Sequence, residues 1–361
     1  MVRQRDDAAA NGCVPPAFRN GKTRIVENQS GEILSVERSE SRGYACRAGE
    51  TQGQNHFRIR RLSVGSFWVQ NEKASRTALV IAASLVLLHR DPKHSGLVSK
   101  TSADLCAQML EMYSSQTRLF LKIVRQDWFR PVARLIERIT IPGILLHYIL
   151  RKKCIAGLAR SALINGATQV VIVGAGFDPL SFELHQDFRD AQFWEIDHPA
   201  TQRHKLRAFP KIGVDRLHFV ALDLNTTALD KEALIKSSFD PTQRTCWIAE
   251  GLLMYLPADI VSSLMRTLKS LSAPGSHFAF TFMEKQSDGR IRFDSQSKLV
   301  DSWLRRRGEP FLWGSTRGEL VDLVRPWRVI RFFHHDDLRE MESGLINESI
   351  ARGEVICLAK I

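Results

Sequence analysis

The sequence lacks any apolar run near the ~20 residues that a membrane-spanning helix needs. The stretch from Thr77 to Leu88 stops at twelve, and Ile139 to Leu150 is interrupted by Pro142 and His147. No membrane partner is expected. Cysteine is sparse: the six, at 13, 46, 106, 154, 246 and 357, form no CxxC pair and have no histidine at metal-ligand spacing. Neither a zinc site nor a disulfide framework is read from them, which points to a reducing compartment. The first thirty residues hold no apolar leader core, and Asp6, Asp7 and Glu27 speak against a transit peptide, so a cytoplasmic protein is the expectation.

Charge of one sign is also not concentrated. The formal net charge of +12 is diffuse, since residues 1–70 carry eleven Lys or Arg against seven acids and leave +8 for the rest. The clusters at Arg58, Arg60 and Arg61, at Arg151 to Lys153 and at Arg305 to Arg307 have no interleaved aromatics of the RNA-binding kind, so no nucleic-acid partner is expected. Arg305 to Arg307 followed by Gly308 reads as a helix C-terminus, with cations matched to the dipole and a glycine cap. What the chain does have is apolar material. With 44% hydrophobic and 25% charged residues over 361 positions, it is long and apolar enough for a sizeable core in one large or two smaller domains.

The first 70 residues are polar and without sustained period, which predicts a mostly disordered basic extension. From Ser75 the spacing becomes helical, with Ala78, Ile81, Ala82, Leu85 and Leu88 on one stripe, and further helical stretches follow at 101–112, 116–126, 128–138 and 153–164. Residues 71–165 are therefore read as a helical cap. Strand-like runs then appear at 169–173, 192–197, 217–222, 245–249, 277–283, 327–333 and 354–360, with helical segments such as 257–271 and 317–323 between them. This alternation predicts an α/β core over 166–361 with a seven-stranded, mainly parallel, doubly wound sheet. The last run is expected to insert antiparallel, and 284–316 to form a lid.

Chemistry is concentrated after the first core strand, in Gly174-Ala-Gly176-Phe-Asp178, where glycines permit a sharp turn and close approach of a ligand to the backbone. The third glycine of GxGxxG is missing, with Pro179 in its place. Asp197 ends the second run twenty-one residues after Gly176, close to the ~20-residue spacing at which an acid accepts hydrogen bonds from ribose hydroxyls. Asp223-Leu224 closes the third run, either as an adenine contact or as a helix N-cap. Glu250 closes the fourth within an apolar stretch, where a buried carboxylate needs a partner. A dinucleotide oxidoreductase and an S-adenosylmethionine methyltransferase both fit, and the long helical segment ahead of the first core strand favours the methyl donor as cofactor.

The stretches QVVIVGAGFDPLSFEL (169–184), FWEIDHPATQRHK (193–205), WIAEGLLMYLP (247–257) and GEPFLWG (308–314) resemble the leucine carboxyl methyltransferase family, which includes bacterial O-methyltransferases of polyketide biosynthesis. The resemblance runs over roughly 75–361. It implies the class I methyltransferase (Rossmann-like) fold and S-adenosylmethionine-dependent methylation of a carboxylate or hydroxyl on a small-molecule acceptor. By the same resemblance Gly174 and Gly176 would shape the donor pocket, Asp197 hold the ribose, Asp223 and Leu224 the adenine, and Glu250 lie beside the methionine moiety. Arg151 stands where the family has an arginine that pairs with the donor's carboxylate. Ser75-Arg-Thr77-Ala78 resembles an early S-x-T-A block, while Asp178-Pro179-Leu180 and Ala156-Gly157 depart from the family pattern.

Methyl transfer from a sulfonium asks the protein mainly to align the reactants and exclude water. No catalytic base is named, because His198, His204, His334 and His335 read as surface or structural histidines and a carboxylate acceptor is already ionised. Trp303, Phe311 and Trp313 are read either as enclosing the acceptor or as core. An NAD-dependent oxidoreductase and a non-catalytic donor-binding protein remain as alternatives.

Overall fold

The computed structural model describes residues 75–209, 216–225, 228–229, 231–345 and 347–361, together with the backbone of three strands nearer the N-terminus. Contacts divide the chain into a unit over 1–72 and another over 73–361. In the first, β1 (Thr23–Glu27), β2 (Ile33–Arg38) and β3 (Phe57–Arg61) form an antiparallel sheet in that order. The extension expected over 1–70 otherwise lies outside the described residues. These strands coincide with short alternations such as Phe57-Arg-Ile59-Arg, a period of two too brief to stand out in a polar sequence.

The second unit opens with helices α1 (Arg76–His89), α2 (Lys100–Tyr113), α3 (Ser115–Val124), α4 (Phe129–Thr140) and α5 (Ile144–Ile164). Ser75 starts α1 by accepting the N–H of Ala78 at 3.1 Å, one of the four donors a helix start leaves free. Helix α5 begins nine residues before the expected 153. Residues 144–151 are buried on most sides and show no stripe, and the start is set by Gly143, whose φ of +79° lets the backbone pass Ile350 where a Cβ would lie 2.6 Å away. Those extra turns carry His147 and Arg151 into the interior.

The sheet follows as β4 (Gln169–Val173), β5 (Gln192–Asp197), β6 (Leu217–Ala221), β7 (Thr245–Ala249), β8 (His277–Met283), β9 (Arg328–Phe333) and β10 (Glu354–Lys360). Its order is β6-β5-β4-β7-β8-β10-β9. The strands from β6 to β8 are parallel, and β10 inserts antiparallel between β8 and β9. This is the class I methyltransferase topology, with the expected antiparallel insertion. Helices α6 (Leu180–Asp187), α7 (Pro199–Ala208), α8 (Lys231–Lys236), α9 (Ala258–Ser270), α10 (Lys298–Arg307), α11 (Arg317–Leu323) and α12 (His335–Glu340) complete the unit. Helix α10 ends in Arg305 to Arg307 with Gly308 left-handed at φ +73°, the terminus the sequence announced.

Both faces of the sheet are covered, so the central strands are continuously apolar rather than alternating. Val170, Ile172, Phe193 and Ile248 pack on one side with α1, α2, α5 and α6. Val171, Val173, Trp194 and Trp247 pack on the other with α9 and α11. The chain runs outward from β4 through β5 to β6 and returns to β7 on the other flank, so the strand order reverses at β4. Open α/β sheets bind ligands outside the carboxyl ends of the strands at such a reversal. No helix among the described residues is long and apolar enough to cross a membrane.

Candidate functional site

The turn after β4 is built against the end of β5. Gly174 N–H donates to the Ile196 carbonyl at 2.8 Å, and Gly174 and Gly176 have φ of +73° and +52°. A Cβ at Gly174 would meet the Leu252 side chain at 2.8 Å, and one at Gly176 would touch Ala78 of α1 at 3.4 Å. Helix α1 therefore lies over the turn, which places the Ser75-Arg-Thr77-Ala78 block beside it. Asp197 closes the turn: one carboxylate oxygen accepts the N–H of Gly176 and the other that of His198 at 2.6 Å. Burial pushes the Asp197 pKa above its ordinary value, against those two donors. A carboxylate has about four lone-pair sites, so acceptor capacity remains for vicinal hydroxyls.

Asp223 follows β6 beside the same edge, its carboxylate accepting the N–H of Asn225 at 3.0 Å and lying 3.8 Å from the His198 ring. The N-cap alternative does not hold, since the next helix, α8, begins only at Lys231. Leu224 puts its side chain into the core of the α9 face.

Glu250, after β7, and Arg151, on α5, meet directly at 2.9 Å between Oε1 and Nε. Arg151 also donates to Glu354 Oε2 at 2.7 Å, and His147 Nε2 lies 2.8 Å from that oxygen. Lys152 Nζ bridges Glu250 at 3.2 Å and Asp178 at 2.8 Å. The Asp178 carbonyl accepts from Lys205, 2.7 Å from Glu195. A continuous buried chain of charges thus underlies the carboxyl edge. Burial works against the charge of Arg151, but Glu354 and Glu250 outweigh it and raise its pKa. Burial likewise opposes ionisation of Glu354, but Arg151 and His147 prevail and hold it at about 2. Buried charges persist only when paired in this way.

Glu250 Oε2 is buried and has no hydrogen-bond partner among the described residues. It is a free acceptor beside the turn, as an ammonium group of a bound ligand would need. The residues at this edge thus fit an adenosyl amino acid: bare backbone at Gly174 and Gly176, an acid for the ribose at Asp197, and an orphaned carboxylate oxygen at Glu250.

All seven residues expected to bind the cofactor fall in the turns at this edge or on the helix beneath it. Spacing alone did not reveal that Arg151 is engaged by Glu250 and Glu354, because Glu354 is 203 positions away. Of the four histidines, His198 accepts the Ala200 N–H at 3.2 Å to cap α7, His204 packs on Tyr113 at 4.5 Å between ring centres, and His334 caps α12, which are structural uses. Burial pushes the Tyr148 phenol up to about 12, so it offers no base near neutrality. Trp313 is core of the α9 face, whereas Phe311 packs between Tyr255 and Phe293 at 5.6 and 6.2 Å.

Residues 76–269 match the family described as leucine carboxyl methyltransferase. A candidate S-adenosyl-L-methionine-dependent methyltransferase of Mycobacterium sp. strain KMS is 34% identical over 179 residues, 46% of this chain and 58% of that protein. A similarly named protein of Mycolicibacterium smegmatis is 29% identical over 254 residues, 68% of this chain and 77% of that protein. The chain thus spans somewhat over half the length of the first of these relatives. A crystal structure of a candidate methyltransferase from Thermobifida fusca overlays with a TM-score of 0.49 and 15% identity, covering 82% of this chain and 99% of that one.

Proposed function

The chain belongs to the leucine carboxyl methyltransferase family, and on that premise we propose that it is an S-adenosylmethionine-dependent methyltransferase acting on a carboxylate or hydroxyl of a small-molecule acceptor. The observation that carries the reading is the closure of the glycine turn by Asp197 at the point where the strand order reverses. The donor supplies an electrophilic methyl group on a sulfonium sulfur. Asp197 would accept from the ribose hydroxyls, Asp223 and the Leu224 backbone would border the adenine, and Glu250 Oε2 would take the ammonium group.

Arg151 serves this site in two ways. It neutralises Glu250 and Glu354, and it presents a fixed guanidinium beneath the methionine end. Alignment and exclusion of water are what the chain contributes to an in-line displacement. A carboxylate acceptor needs no proton removed, while a phenol or alcohol needs a base. Mass spectrometry of reactions holding S-adenosylmethionine and a panel of small carboxylic acids and phenols tests the reading. A mass gain of one methylene unit on a member of the panel supports it, and no donor turnover with any acceptor, alongside tight donor binding, favours a non-catalytic donor-binding protein.

A further inference from the structure

Helix α4 is the one α-helix among the described residues that contributes no buried residue. Its sequence is nevertheless strongly amphipathic. Trp128, Val132, Leu135, Ile136 and Ile139 recur at helical spacing on one side, and each is between 40% and 61% exposed. The opposite side faces the body, where Phe129 and Ala133 pack partly buried against the core. Arg134 donates to Asp91 at 2.5 Å, and Glu137 accepts the Leu145 N–H at 3.0 Å. That side is thus tied to the body, and the stripe from Trp128 to Ile139 is turned outward.

The apolar surface continues onto α3, where Phe120 packs edge-on against Phe129 at 6.2 Å and Leu119 is exposed. Exposed Arg118, Lys122 and Arg138 lie on the same two helices. A contiguous apolar patch of this kind marks a binding surface. An apolar stripe beginning in Trp, backed by arginines, is the pattern of a helix lying in a membrane interface, with cations at the level of anionic headgroups. A second copy is disfavoured, because a two-fold contact through this face would gather Arg118, Lys122 and Arg138 of both copies at one interface.

We propose that the outward face of α4, extended by α3, docks the protein peripherally on an anionic phospholipid surface. No spanning segment is required, so the lack of long apolar runs does not bear against it.

The full-length protein should co-sediment with vesicles of phosphatidylcholine and phosphatidylserine, release at high salt, and leave vesicles of phosphatidylcholine alone largely unbound. Leu135→Glu with Ile139→Glu should reduce partitioning by roughly a hundredfold with an unchanged melting temperature, both sites being exposed. Arg138→Gln, which cannot disturb packing, should reduce it about fivefold. Failure of the parent to bind anionic vesicles overturns the proposal. So does a dimer in light scattering that the Leu135 and Ile139 changes dissociate, with no vesicle binding, since the patch is then an interface between copies.

Discussion

The carboxylate of Glu309 caps helix α1 across 232 positions of sequence, accepting the hydroxyl of Thr77 at 2.5 Å and its N–H at 3.1 Å, with the Arg76 N–H at 2.9 Å on its other oxygen. This joins the GEPFLWG segment to the helix that lies over the glycine turn. A negative charge on free N–H groups at a helix start is favourable for both hydrogen bonding and the dipole. Glu309→Ala is expected to cost about 1 to 2 kcal/mol in chemical denaturation and to weaken binding of S-adenosylhomocysteine as α1 loosens. Unchanged stability would show that the cap contributes nothing.

Gly174 faces Leu252 with no room for a side chain. Gly174→Ala should cost about 2 to 4 kcal/mol, combining left-handed strain with overpacking. Leu252 itself packs on the core, so the overpacking part is read from a double-mutant cycle: Gly174→Ala should cost less in a Leu252→Ala background than in the parent, and the cost that persists is the strain. An equal cost of Gly174→Ala in both backgrounds would mean that Leu252 is not the obstacle.

Glu354 gives a pH dependence. Its pKa in the fold is about 2, below the ordinary 4.5, so its stabilising contribution is complete above about pH 5 and is lost as the pH falls toward 2. Glu354→Gln leaves Arg151 with Glu250 as its remaining carboxylate partner among the described residues and should cost about 3 kcal/mol near neutrality, as breaking one side of a buried pair does. Urea titrations of both proteins should show the gap between them closing in acid. A gap constant from pH 7 to pH 3 would contradict the assignment.

The central strands were legible because both faces of the sheet are buried: runs such as Gln169–Val173 and Thr245–Ala249 are buried throughout and apolar after their first residue. Asp197 was legible for a related reason, since a tight turn and one crossover helix fix its distance from Gly176 in sequence as well as in space. Pairings made across the chain left no such trace. Glu354 opens the last strand, Glu309 sits in a loop, and nothing local to either announces Arg151 or Thr77 as its partner. Helix α5 was under-read where burial on most sides erased the stripe, and α4 shows the converse, a clear stripe whose apolar side the core does not use.

The donor site is the centre of the account, and isothermal titration of the parent and of Asp197→Ala with S-adenosylhomocysteine, with NADH alongside, tests it most directly. Loss of charge-assisted hydrogen bonds to the ribose should weaken S-adenosylhomocysteine about ten- to a hundredfold in the variant, while NADH gives no heat with either protein. Equal affinity of the two proteins for S-adenosylhomocysteine, or tight binding of NADH by the parent, would contradict it.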